Sequence, residues 1–270
     1  MKKRLLFIAA AASISTALWI GRAHRQDDVV MRFFDIGQGD AAMISRGRTQ
    51  VLIDAGPDRA VLGKLGRAMP FFDRHIDLAV LTHPHADHFV GFIGVFERYQ
   101  VDRLLVSGAD NGSPDYRAFA AAAKAEGAEI IRANPGDKIE IGDATIEVLW
   151  ASPRPQHGDL NDASVVFRLQ AGGQAALFMG DAGENIERAL LAAGIQLQAQ
   201  ILKVGHHGSR TATGADFLAA VRPEEAIVSV GKNTYGHPSF SALERLKAAG
   251  VRIRRTDRDG DITVKFRRPP

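Results

Sequence analysis

Between Leu81 and Phe89 the chain reads LTHPHADHF, which places His83, His85, Asp87 and His88 within six residues. Three imidazoles and a carboxylate at this density suit a divalent cation such as Zn2+, Mn2+ or Fe2+. His83 and His85 are two apart and can point at one centre. Asp87 and His88 can then point at a second, and two cations about 3.5–4 Å apart can share a hydroxide and clamp an oxyanion. The chain has nine histidines in 270 residues, so three in six is far denser than a scatter of surface histidines. With no cysteine anywhere, a metal site here must draw on His, Asp, Glu or Asn.

Such a site needs ligands from several strand ends. The apolar run Leu78–Thr82 precedes the histidine cluster, at the kind of C-terminal strand end where α/β sheets carry active sites. Pro84 bars an ordinary ladder position, so a turn is expected there. Downstream, ALFMGDAGE ends an apolar strand at Gly180-Asp181, and ILKVGHHGS ends another at His206-His207. NTYGHP places His237 after a further strand. Six of the nine histidines therefore fall in three strand-end clusters.

The wider pattern alternates short Val/Ile/Leu-rich strands with helical stretches. Strands are expected near 30–35, 41–45, 51–54, 78–82, 103–107, 129–132, 138–141, 145–151, 164–169, 175–179, 200–204, 226–230 and 262–266, separated by turns such as Gly142-Asp143 and Gly172-Gly173. Helices are expected over 58–68, 118–126, 184–193 and 239–249. For the last, Ser241 with Glu244 has capping-box spacing and Ser239 is the alternative cap. Hairpin-like strands dominate the start and middle, and strand–helix alternation dominates 175–230. That mixture predicts two packed sheets with helices on the outer faces, in one domain over residues 29–268.

Residues 1–26 read separately. MKKR precedes 17 uncharged residues, Leu5–Gly21, followed by Arg22 and Arg25. This is the pattern of a secretion signal or, at nearly spanning length, of an N-terminal membrane anchor through residues 5–21. Either form predicts an exported domain, periplasmic or extracellular, with the basic end on the cytoplasmic side. The leader holds five of the 34 Lys and Arg and none of the 31 Asp and Glu. The rest thus carries 29 basic against 31 acidic residues, and its charge gives no case for nucleic-acid binding.

Eight segments resemble one known family. FFDIGQGDAA, VLIDAG, LTHPHADH, NDASVVFRL, LFMGDA, ILKVGHHGS, AIVSVGKNTYGHPS and RRTDRDGDI occur in this order, from about Met31 to Val264. The His-x-His-x-Asp-His signature resembles the metallo-β-lactamase-fold superfamily. The eight segments together resemble the soluble domain of ComEC-type DNA-uptake proteins. The resemblance implies an α/β fold, an αββα sandwich, with one or two divalent cations (Zn or Mn) at one edge. It implies His83 and His85 on the first metal, Asp87 and His88 on the second, Asp181 bridging, and His206 completing the second. Of the adjacent pair, His206 is preferred as the ligand because it lies closer to the strand end, leaving His207 to contact substrate. Asp54 would orient a ligand, or merely close a strand-end turn.

Most superfamily members add a histidine to the first metal about 20 residues before the bridging aspartate. Here that stretch is LNDAS, without an imidazole, as in the ComEC-type family. Asn161 or Asp162 could substitute through oxygen, and His157 is the alternative. Gln38, Gly39 and Asp40 form either a hairpin turn or the rim of the metal groove.

The expected chemistry is hydrolysis by a metal-activated water, with Asp87 or Asp181 taking its proton. His207 or His237 would bind the scissile phosphate or protonate the leaving oxygen. The family favours a phosphodiester, and DNA, single-stranded, above others. The residues alone leave open an esterase or lactonase on the same centre, or a non-catalytic partner of a competence channel. Arg252, Arg254, Arg255, Arg258, Lys265, Arg267 and Arg268 offer cations to phosphates, opposed by Asp257, Asp259 and Asp261. With three Tyr and two Trp in the chain, one of them Trp19 in the leader, composition gives little support to a base-stacking platform.

Overall fold

The computed structural model describes residues 28–155 and 158–266. The leader, His157, Arg267 and Arg268 lie outside the described residues.

The chain opens with β1 (Val29–Phe33), β2 (Ala41–Arg46) and β3 (Thr49–Ala55), then α1 (Ala60–Ala68), β4 (His75–Ile76) and β5 (Leu78–Leu81). Next come α2 (Ala86–Phe96), β6 (Gln100–Val101), β7 (Arg103–Val106), α3 (Pro114–Glu126) and β8 (Glu129–Arg132). A run of strands follows: β9 (Lys138–Ile141), β10 (Ala144–Trp150), β11 (Val166–Ala171) and β12 (Gln174–Phe178). The remainder is α4 (Glu184–Ala192), β13 (Ile201–Lys203), α5 (Ala215–Val221), β14 (Glu225–Val228), α6 (Phe240–Ala248), β15 (Arg252–Arg255), α7 (Thr256–Asp259) and β16 (Ile262–Phe266).

Two seven-stranded sheets result, in the orders β16-β1-β2-β3-β5-β7-β8 and β15-β14-β13-β12-β11-β10-β9. Each is half antiparallel and half parallel. In the first the change comes at β3, and in the second at β12.

Side-chain alternation assigns the layers. Met31 and Phe33 of β1, Ile44 of β2, Val51 and Ile53 of β3 and Val80 of β5 face the second sheet. They meet Ile146, Phe167, Leu169 and Phe178 from it, with the Phe178 ring stacked between Phe33 and Phe167 at 5.7 and 4.7 Å. The intervening residues Met43, Leu52, Ala79 and Leu81 pack outward under α1, α2 and α3. Leu177 and Met179, Leu202 and Val204, and Ala226 and Val228 do the same under α4, α5 and α6. This is the expected αββα sandwich, with a sheet–sheet core and one core under each helical layer.

Several elements depart from the sequence expectation, among them the short β4, β6 and α7, which it does not include. The turn expected after His83 is brief, and α2 starts at Ala86; its faces are apolar almost all round, and seven of its eleven residues are buried. An amphipathic pattern is absent for that reason. Helix α3 begins at Pro114, with Ser113 Oγ accepting from Tyr116 N at 3.0 Å, four residues before the apolar pattern suggests. Helix α5 has no counterpart in the expected set. Strand β15 holds residues that read as a basic patch. Arg252 and Arg254 pair with Glu225, and Arg255 with Asp257 at 2.6 Å, so these arginines already have carboxylate partners. Ser239, not Ser241, caps α6.

Candidate metal centre

The C-terminal ends of β3, β5, β12, β13 and β14 converge at one edge of the sandwich. Two groups of ligand atoms meet there, His83–His85–Asp181 and Asp87–His88–His207, each with its atoms within 4.8 Å of one another. Asp181, only 2% exposed, faces both. Its Oδ2 is 3.7 Å from His83 Nε2 and 3.5 Å from His207 Nε2, and its Oδ1 is 3.5 Å from His88 Nε2.

Three imidazoles are anchored through one nitrogen and present the other. His88 Nδ1 lies 2.8 Å from Asp54 Oδ2, and His207 Nδ1 lies 2.9 Å from the Ser229 carbonyl. Both acceptors hold a proton on Nδ1 and turn Nε2 into the cluster, where it offers a lone pair once any second proton has been displaced. His83 Nδ1 is 3.2 Å from Thr82 Oγ1, whose hydroxyl donates to Asp54 Oδ2 at 2.8 Å. His83 therefore turns its Nε2 inward too, 3.0 Å from His85 Nδ1. His88 Nε2, His207 Nε2 and Asp181 Oδ1 are buried with no hydrogen-bond partner. Buried polar atoms without partners, drawn from separate elements and aimed at each other, are costly unless a cation satisfies them. The donor set is oxygen and imidazole nitrogen, which fits Zn2+ or Mn2+.

Asp54 stands where an orienting carboxylate would, with Oδ2 toward His88 Nδ1. It accepts from Thr82 N at 2.8 Å as well, and its φ of 53° sets it in the left-handed region that Asn tolerates better than most residues. Asp54→Asn keeps the shape but turns an amide toward His88 Nδ1. Metal affinity, read by competition with a chromophoric chelator, is expected to fall about 10- to 100-fold. An unchanged affinity would show that Asp54 only closes a turn.

The geometry corrects the choice within the adjacent pair: His207 enters the cluster, and His206 does not. Both residues are left-handed, with φ of 46° and 51°, so the chain reverses after β13 and the second ring swings inward. Strand periodicity gives no sign of such a turn in non-glycine residues. His206 instead lines the cavity beside His237, ring centroids 5.1 Å apart. Asp162 also lies elsewhere. It lines a second cavity with Arg154 and Arg188, and its carbonyl accepts from Trp150 Nε1. It belongs to none of the His/Asp groups among the described residues. Asn161 sits in a short turn over Leu160–Ala163, its Oδ1 buried and unpaired.

One pair went unrecognised in the sequence. Lys203 Nζ, buried at the end of β13, lies 2.7 Å from Asp40 Oδ2, and Asp40 Oδ1 is 3.5 Å from His207 Nδ1. Asp40 is therefore part of the wall behind His207 and not only a turn residue. Burial alone would raise its pKa, but Lys203 and His207 outweigh it and hold the carboxyl well below the usual range. The signal was a lone lysine inside the apolar run ILKVG. The turn before Asp40 seats Gly39 (φ 132°) against the backbone oxygen of Asp87, where a methyl group would overlap it.

Burial disfavours charge on His207, yet Asp181, Asp40 and Asp87 prevail and its pKa is pushed up to about 10. In the metal-free protein this ring is protonated at pH 7, and a cation must displace that proton. Metal affinity should therefore rise with pH, by about ten-fold per unit for each proton released. Calorimetry in two buffers of different ionisation enthalpy is expected to read at least one proton released, and one fewer in His207→Ala.

Asp87, His85, Asp181, His206, His207, His237, Gln38, Pro57 and Tyr235 line an open cavity of about 470 Å³ over the cluster. The chain belongs to the metallo-β-lactamase superfamily, whose family model matches residues 34–232. Its homologues include competence proteins. It is 30% identical over 253 residues to ComE operon protein 3 of Bacillus subtilis, covering 86% of this chain and 32% of that one. It is 31% identical over 240 residues to competence protein ComA of Neisseria gonorrhoeae, covering 88% and 32%. The chain thus spans about a third of the length of these relatives. Among solved structures, the metallo-β-lactamase fold protein YhfI from Bacillus subtilis superposes with a TM-score of 0.59 at 13% identity, over 88% of this chain and 100% of that one. Zn2+-bound PqqB from Methylobacterium extorquens gives 0.57 at 15%, over 85% and 88%. At these identities they show the shared fold.

Proposed function

We propose that this chain is an exported, metal-dependent phosphodiesterase that cleaves single-stranded DNA. The observation that carries the hydrolase reading is the convergence of three Nδ1-anchored imidazoles on Asp181, beneath an open cavity. The competence homologues support DNA as substrate, and the uncharged stretch Leu5–Gly21 after MKKR supports export.

His83, His85 and Asp181 would hold one divalent cation, and Asp87, His88, His207 and Asp181 a second. Bound there, the cations would supply Lewis acidity to a phosphoryl oxygen and make water acidic enough to ionise near neutral pH. Asp87 reaches the cavity with its side chain about a third exposed, and is the carboxylate placed to accept a proton there. Burial alone would raise its pKa, but His207 and His88 hold it low, so it stays ionised. His237 sits on the cavity wall. Burial first, then His206 and His207, lower its pKa, so it is neutral at pH 7 and would donate a hydrogen bond to a phosphate oxygen. His207, with Nε2 3.2 Å from Asp87 Oδ2, would serve as a ligand and not as a substrate contact.

The test is turnover by the full chain, loaded with Mn2+ or Zn2+, on a single-stranded oligonucleotide and on an ester panel. Metal-dependent cutting of the oligonucleotide is expected. Ester turnover alone would make it an esterase, and a stoichiometric metal without turnover on either would make it an accessory protein.

A further inference from the structure

The loop between β14 and α6 carries an aromatic ring that the fold does not use. Tyr235 is 74% exposed, yet it lines the same cavity as Asp87 and Asp181. Its ring lies 6.0 Å from that of His237, inclined by 35°. Scattered exposed aromatics are ordinary on a protein surface. This one differs in how its backbone is held.

Asn233 ties the loop from within. Its Nδ2 donates to the Gly231 and His237 carbonyls at 2.9 and 2.8 Å, and its Oδ1 accepts from Tyr235 N and His237 N, both at 3.1 Å. Gly231 N in turn donates to Gln38 Oε1 at 3.3 Å, and a methyl group on Gly231 would overlap the backbone of Gly37 and Gln38. The loop is thus braced on two sides, and the ring it presents has only two side-chain torsions. Such a ring can take a ligand with little ordering cost.

We propose that Tyr235 is a stacking platform for the nucleobase adjoining the phosphate bound over Asp181, with Asn233 as its positioning residue. This rests on the phosphodiesterase reading and deepens it. A flat, exposed ring beside a phosphate-binding centre accepts any base, because every base has a π-face. In a duplex that face is already covered by the neighbouring base pairs, so the platform selects for single strands. Lys232, exposed on the same loop, makes no ion pair among the described residues and is available to the next phosphate. The low aromatic count of the chain does not oppose this, since one well-placed ring suffices.

The test compares binding and cleavage separately, using the full chain. Fluorescence anisotropy reads the Kd for a labelled dT oligomer and for an abasic oligomer of equal length. The wild-type protein is expected to prefer the base-bearing strand. Tyr235→Ala should weaken dT binding by about ten-fold, raise KM on dT by a similar factor with kcat nearly unchanged, and leave abasic binding as it was. Tyr235→Trp should restore the preference. Phe240→Ala, which removes another ring that is 79% exposed but not on the cavity, should change nothing. Equal wild-type affinity for both strands, an unaffected Tyr235→Ala, or an equal loss in Phe240→Ala overturns the platform. Base-dependent binding through Tyr235 with no cleavage of any strand sustains the platform and defeats the hydrolytic reading instead.

Discussion

Asp181→Ala is expected to leave the protein unable to retain metal, and with that to drop turnover to background. The carboxylate faces both candidate ligand sets, 3.7 Å from His83 Nε2 and 3.5 Å from both His88 Nε2 and His207 Nε2. It is also the chief anion among them. Burial would raise its pKa, but His207, His88 and His83 together hold it well below the ordinary range. Removing it takes a ligand from each set at once and leaves imidazoles facing one another without the anion that draws a cation in. The loss should exceed the about 10- to 100-fold typical of disturbing a ligand's hydrogen-bond partner. Metal analysis after dialysis, beside the turnover assay, reads it. Asp181→Asn, which keeps the shape, should fall between. Wild-type metal content in Asp181→Ala would sink the proposed centre.

Gly91→Ala should cost about 1–3 kcal/mol of stability, or a fall in Tm of about 2–4 °C for each kcal/mol in a domain of this size. Gly91 lies in the middle of α2, where its N–H donates to the Gly56 carbonyl at 2.9 Å. A methyl group there would overlap the carbonyl oxygens of Ala55 and Asp58. Alanine would gain about 1 kcal/mol of helix propensity. The overlap wins because it is with backbone, which cannot swing aside as a side chain can. Helix α2 must then shift, and it carries Asp87 and His88. Metal affinity should fall with Tm. A Tm at or above wild type in a thermal melt would refute the close packing of α2 on β3.

The ease of reading different parts of this chain follows from how local their causes are. The strands β1, β2, β3 and β5 are short Val/Ile/Leu-rich runs bounded by turn residues, so their places along the chain were visible in sequence, while burial on both faces of β3 and β5 hid which side chain faces which layer. So were His83, His85, Asp87 and His88, which sit together in the chain, and Asp181, which closes an apolar strand. Helix α2 was hidden because burial on nearly every side erases the polar face that marks a helix. His207 was hidden behind His206 because two consecutive left-handed residues reverse the direction that a strand would have continued. The Lys203–Asp40 pair spans 163 positions, and nothing local joins its ends. Arg252 and Arg254 could be phosphate contacts or a solvated strand face in sequence, because their partner Glu225 lies on the neighbouring strand and far along the chain.

The candidate ligands are drawn from both sheets: His83, His85, Asp87 and His88 follow β5 in one, while Asp181 and His207 follow β12 and β13 in the other. A cation held among them would be a clasp across the seam of the sandwich, added to the apolar core and to polar contacts such as the Lys203–Asp40 pair and the Val165 N–Thr82 carbonyl bond that already join the halves. Occupancy and cohesion then become one variable. A metal present at 100 times its Kd would add about 2.7 kcal/mol to folding, and a chelator would loosen the whole molecule along with its chemistry.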